Sequence, residues 1–116
     1  MTFLAIAPLL QAQTYEILYS FTYQPNPEGP YAGVIFGPGG LYGTTVGGES
    51  LKYGRGTVYK VSLTGQESSV YDFLNSPDGA FPFAPLIGDG SGVFYGTTAY
   101  GGGGKFQLPL RVRNSV

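Results

Sequence analysis

An all-β fold is what this sequence of 116 residues predicts, and three observations predict it. Gly occurs 20 times and Pro 9 times, so the chain is punctuated by turns throughout. Aromatic residues make up 16% and charged residues only 11%, a balance that suits short packed strands better than helices. The phrase Tyr-Gly-Thr-Thr occurs twice, at Tyr42–Thr45 and at Tyr95–Thr98, and runs each time toward glycines.

That phrase belongs to a longer internal repeat, the pattern to seek before any other. "LYSF" at Leu18–Phe21 returns as "VYDF" at Val70–Phe73, "PEG" at Pro27–Gly29 as "PDG" at Pro77–Gly79, and "YAGVI" at Tyr31–Ile35 as "FAPLI" at Phe83–Ile87. Order and spacing both hold. The length changes fall in Gly and Pro stretches, where loops absorb insertions. The repeat divides the chain into a first unit at 14–63, a second at 64–108 and a divergent tail at 109–116.

Each unit reads as four short strands. In "TYEILYSFTY", Tyr15, Ile17, Tyr19, Phe21 and Tyr23 alternate with Glu16, Leu18, Ser20 and Thr22, which is strand period. A turn around Pro27-Glu28-Gly29 leads into the apolar run "AGVIF", and "GPGG" turns the chain into "GLYGTT". "GTVYKVS" at Gly56–Ser62 is the fourth strand. The second unit repeats the scheme through "SSVYDFL", "APLI" and "VFYGTT", with turns at Pro77-Asp78-Gly79 and in "GDGSG", and "KFQL" at Lys105–Leu108 stands as a shortened fourth strand. Tyr supplies a large ring for packing between sheets, the next Gly lets neighbouring backbone approach closely, and Thr-Thr favours extended structure. A four-stranded unit of about 50 residues that cannot cover both its faces alone reads as a propeller blade, with a β solenoid as the competing geometry.

Composition also excludes function classes. A hydrophobic fraction of 42% argues against disorder, and a net charge of -1 with six scattered basic residues argues against nucleic acid and against a membrane surface. Without Cys or His, zinc sites, thiol chemistry and His-based relays have no residues in this chain. Residues 1–13 read as either a signal-peptide remnant or a frayed N-terminus: Phe3 to Leu10 is apolar and Ala12 is small, but the basic leader and a small-x-small cleavage site are absent. Eight residues are far too few to span a bilayer, so no membrane insertion is expected.

"LYGTTVGG", "GTVYKV", "VYDF", "PDGAFPFAPLI" and "FYGTTAYGGGG", taken together and in this order, resemble the GloVer (Gloeo/Verruco) tandem repeat of extracellular bacterial proteins. The resemblance covers roughly Tyr15 to Gly104. It implies a secreted or surface-anchored, propeller-like array and brings no catalytic residues with it. After Gly104 the expected Gly-Thr-Val-aromatic strand is replaced by "KFQLPLRVRNSV".

The remaining polar residues yield no catalytic, cofactor or metal site. Asp89 in "GDGSG" is one carboxylate in a glycine loop, where calcium needs several oxygen ligands, so a hairpin turn is the expectation. "GPGG" and "GGGG" lack the Lys-Ser/Thr and the following helix of a phosphate loop. Glu28 and Asp78 occupy matching places in the two units and read as turn residues rather than an acid-base pair, which would need two different environments. Glu16, Glu49, Glu67, Asp72 and Asp89 make no better constellation. Lys52 and Arg55 lie in the loop between the third and fourth strands, where a binding surface could form, and exposed tyrosines could stack on sugar rings. Three readings follow: a non-catalytic extracellular repeat module with a protein or glycan partner, completed by self-association or by further repeat units; a carbohydrate-active enzyme fragment; and a truncated or frame-shifted product without independent function.

Overall fold

The computed structural model describes residues 14–22, 29–47, 54–74, 78–101 and 110–112. All regular structure among them is β, with no helix. Strands β1 (Ile35–Gly37), β2 (Gly40–Thr45), β3 (Thr57–Val61) and β4 (Glu67–Asp72) form an antiparallel sheet in that order. In a second sheet β5 (Ile87–Gly88) pairs antiparallel with β6 (Phe94–Gly96), and β7 (Leu110–Val112) joins β6 in parallel. Among the described residues the two sheets do not close on each other.

Local sequence explains the hairpins. Between β1 and β2, Pro38 restricts its own φ and Gly39 takes φ +76°, the pairing of residues that a tight turn of type II needs. The Tyr42 hydroxyl donates to the Pro38 carbonyl at 2.6 Å and ties this turn to β2. Between β3 and β4, Ser62 donates its N–H to Gln66 O at 2.8 Å while its Oγ accepts from Gln66 N at 3.0 Å. A β-bulge between Val58 and Tyr59 shifts the register where β3 meets β4.

Alternation along the strands gives the first sheet two apolar faces. One carries Ile35, Tyr42, Val58 and Tyr71, and packs on Leu86 and Phe94 of the second sheet, with Phe73 closing the core. The Tyr42 and Phe94 rings lie 4.6 Å apart, and Thr44 Oγ1 donates to Ala84 O at 3.2 Å across the same junction. The other face carries Leu41, Tyr59 and Val61. Residues 14–22 lie across it, with Phe21 edge-on to Tyr59 at 4.8 Å. The hydroxyls of Thr45 and Thr57 share a buried hydrogen bond inside the sheet, and Thr45 also donates to Gly47 O at 2.6 Å.

Matching stretches of sequence take matching geometry. Ile35 pairs with Tyr42 and Ile87 pairs with Tyr95. Thr45 bonds the carbonyl two residues on, and Thr98 does the same to Tyr100 O at 3.4 Å. Val46 N donates to Gly29 O, and Ala99 N donates to Phe81 O, each at 3.1 Å. The donors of these two bonds stand at φ-positive acceptors, +71° for Gly29 and +58° for Phe81. Gly29 is therefore the counterpart of Phe81, whereas the Pro-x-Gly wording matches it to Gly79; turns of unequal length separate identity of wording from identity of position. Glu28 lies outside the described residues.

Three further differences from the sequence reading have physical causes. The first sheet runs across position 63/64, because β4 in the second unit completes the ladder begun by β1, β2 and β3 in the first. Residues 14–22 form no strand, although their apolar alternation is strand-like: they match β4, and β4 exists by pairing with β3, a partner that has no counterpart beside 14–22 among the described residues. They are held instead by ring packing. The position beside β6 is taken by β7, from the stretch read as a divergent tail, while "KFQL" lies outside the described residues.

The two repeated glycines differ in what a side chain would meet. A Cβ at Gly43 would stand 2.5 Å from the Tyr59 hydroxyl oxygen and 2.6 Å from its Cζ, a ring fixed by burial, whereas one at Gly96 would meet only the terminal methyl of Leu86 at 2.9 Å. Gly43→Ala is expected to lower stability by about 1–3 kcal/mol, as overpacking does, and Gly96→Ala by less. Urea unfolding followed by circular dichroism checks the order.

Candidate binding surface

The loops that enter and leave the two sheets bring an aromatic cluster together at the surface. Tyr31 precedes β1, Phe81 and Phe83 precede β5, and Tyr100 follows β6. Tyr31 and Phe83 lie 6.1 Å apart, Phe81 and Phe83 6.4 Å and nearly parallel, and Phe81 and Tyr100 6.0 Å edge to face. Three of these rings are turned to solvent: Tyr31 is 73% exposed, Tyr100 64% and Phe83 53%. The exposed Arg55 places its guanidinium 5.7 Å from the centre of the Phe81 ring, a cation-π arrangement at the edge of the cluster.

Backbone bonds hold this cluster in place. Phe81 N donates to Arg55 O at 2.6 Å and Phe81 O accepts from Ala99 N, so Phe81 is fixed from both sides in a left-handed conformation that costs a residue with a Cβ roughly 1–3 kcal/mol. Ala80 exchanges two backbone bonds with Tyr100, at 2.8 and 3.2 Å. Beside Tyr31, an open groove of about 360 Å³ is bounded by Val46, Gly47 and Gly54. The arrangement offers flat apolar rings with one cation at their edge, and thus suits recognition rather than proton transfer.

Asp72, Asp78 and Asp89 each serve a local contact of their own, while Glu28 and Glu49 lie outside the described residues. Asp78 is buried; its Oδ2 accepts from the Tyr71 hydroxyl and from Leu74 N at 3.1 Å, and its Oδ1 has no hydrogen-bond partner. It anchors the end of β4. Asp89 Oδ1 accepts from Ser91 N at 2.8 Å, from Ser91 Oγ at 2.6 Å and from Val93 N at 3.3 Å, so the carboxylate closes its own glycine turn. The Ser91 hydroxyl, then the Ser91 and Val93 amides, stabilise the carboxylate and hold its pKa below the usual carboxylate range. Asp72 is exposed and accepts from Ser69 Oγ at 3.0 Å. Among the described residues no three acidic side chains converge on a metal position. Of Lys52 and Arg55, Arg55 joins the aromatic cluster and Lys52 lies outside the described residues. Sequence reasoning identified exposed tyrosines as a class but missed that Tyr31, Phe81, Phe83 and Tyr100 meet; "FPF" beside a glycine turn was the available hint.

No family model matches the chain, and neither does any curated protein or solved structure.

Two phenols carry a stability consequence. Burial, then the hydrogen bond to Asp78 and the charges of Asp78 and Asp72, push Tyr71 above the ordinary value of 10, and burial with the Glu67 charge pushes Tyr59 up as well. In the unfolded chain both phenols lose their protons first, at about pH 10, while the folded chain still holds them. Stability is therefore full below about pH 10 and falls above it, by up to about 1.4 kcal/mol per pH unit for each such group. Urea midpoints between pH 8 and pH 11 should show this decline, and Tyr71→Phe should make it shallower.

Proposed function

We propose that this chain is a non-catalytic, extracellular β-repeat module of propeller-like construction that binds glycans through its exposed aromatic loops. The observation that carries the reading is the contiguous surface of Tyr31, Phe83, Phe81 and Tyr100 with Arg55 at its edge. Sugar rings present an apolar C–H face and a rim of hydroxyls; flat rings cover the first, while a guanidinium meets the second. The propeller-like part of the reading is supported by the four-stranded sheet, by the second β5–β6 hairpin in matching register, and by face-to-face packing of the two. The secreted location and the kinship with the GloVer repeat rest on the quoted phrases alone.

An enzyme reading finds less support. Asp78 spends Oδ2 on Tyr71 and Leu74 and lies beneath the surface, which suits an anchor for a turn better than a group meeting substrate. Native gel electrophoresis through a panel of soluble polysaccharides tests the proposal. At least one polysaccharide is expected to retard the chain. Tyr31→Ala and Phe83→Ala should each weaken that retardation about fivefold, the loss of about 1 kcal/mol of stacking. Retardation by none of them, or retardation that survives both changes together, would contradict it.

A further inference from the structure

The two outer faces of the molecule are complementary to each other in the way its two inner faces are, and the geometry points to head-to-tail docking of one copy of this chain on the next. The inference rests on the repeat-module reading and names the partner: a second copy of the same chain.

The inner junction supplies the template. On the first sheet, Ile35, Tyr42 and Thr44 face the second sheet; there they meet Leu86, Phe94 and the Ala84 carbonyl. On the second sheet, Ile87, Tyr95 and Thr97 hold the matching positions on its far face, set by the same Ile-Tyr pairing. These copies of the inner face are open: Ile87 is 66% exposed and Thr97 is exposed, whereas Thr44 is fully buried. At the other end of the molecule, Val34 and Leu41 on the outer face of the first sheet match Leu86 and Phe94, and Ala32 matches Ala84. Val34 is 47% exposed and Phe36, on the same face, 81%. One end thus carries the knobs of the inner junction and the other end carries their seat.

Residues 14–22 show that the seat is used as such. Tyr71 and Phe73, which end the first sheet, pack edge to face at 5.2 Å and 77°, on the side where Leu86 and Phe94 lie. Tyr19 and Phe21 form the same pair at 5.0 Å and 87°, against a groove of about 250 Å³ that includes Val34 and Leu41. The outermost strand position over this seat is already filled by the chain's own segment. What a docking copy would add is the inner strands, β5 and β6, carrying Ile87, Tyr95 and Thr97. The Thr97 hydroxyl would then donate to Ala32 O of the next copy as Thr44 donates to Ala84 O. Because the two surfaces differ, the contact is heterologous and each copy keeps one free end, which builds rings or filaments rather than a symmetric pair.

Sedimentation velocity of the full chain over a wide concentration range tests this. The wild-type chain is expected to associate, Ile87→Glu and Val34→Glu each to sediment as monomers, and an equimolar mixture of the two variants to form dimers only, since each retains the end that the other lacks. Thr97→Lys, at an exposed position on the same face, should act like Ile87→Glu and covers the case in which that variant loses its fold, as judged by circular dichroism. A wild-type chain that unfolds cooperatively yet stays monomeric overturns the docking and leaves the module reading intact. So does association that survives all three changes, or a mixture that remains monomeric. Association with no glycan retardation would leave the docking standing and remove the ligand reading instead.

Discussion

The contact of the Tyr42 ring with Phe94 is the constraint on which the rest of the structure depends, because neither sheet has a core without the other. The first sheet has an apolar side chain on both faces of every central strand, and the second is a short hairpin with one added strand. Sheets of this size are not independently stable in water and must bury a face against a neighbour. Tyr42 reaches across from the middle of β2 and Phe94 from the start of β6, with Val58, Phe73 and Leu86 fully enclosed around them. Thr44 fixes the lateral position of the junction through Ala84 O, since a hydroxyl buried without its acceptor would cost about 1–3 kcal/mol.

The same junction positions the aromatic surface. Packing the sheets face to face sets the loop before β1 beside the loop before β5, and Tyr31 and Phe83, which hold matching places in those loops, meet as a result. Phe81 is drawn into a left-handed backbone by bonds to Arg55 and Ala99, and that conformation aims its ring between Phe83 and Tyr100. Strain at this residue is thus tied to the surface that recognition would use. A Gly in the corresponding place of the first unit, Gly29, adopts a similar φ with no Cβ to strain it and contributes no ring.

Most of the strands were legible because their residues obey local rules. "GLYGTT" is β2 residue for residue, and "GTVYKVS" and "SSVYDFL" contain most of β3 and β4, since alternation and β-branched or aromatic residues act within a strand. What failed depends on partners. A repeat in sequence fixes a period but not a phase, so the cut at 63/64 falls inside a sheet that β3 and β4 join. "TYEILYSFTY" has the alternation of a strand, yet pairing is decided by an available edge, and 14–22 pack through Tyr19 and Phe21 instead. The aromatic surface was invisible for the same reason: Tyr31 and Tyr100 are far apart in the chain, and only the stacking of two sheets brings their loops to one place. The hairpin at Asp89 was readable, because Asp followed by Gly-Ser-Gly closes a turn with its own neighbours.

A double-mutant cycle on Tyr42 and Phe94 tests most directly the claim that one ring contact joins the sheets. Tyr42→Ala, Phe94→Ala and the double variant would be unfolded in urea beside the wild-type chain. The double variant is expected to be less destabilised than the sum of the single ones, with a coupling of about 0.5–1.5 kcal/mol for an aromatic pair in contact, in a single cooperative transition. Strictly additive losses, or two separate transitions for the two sheets, would show that they do not share this core.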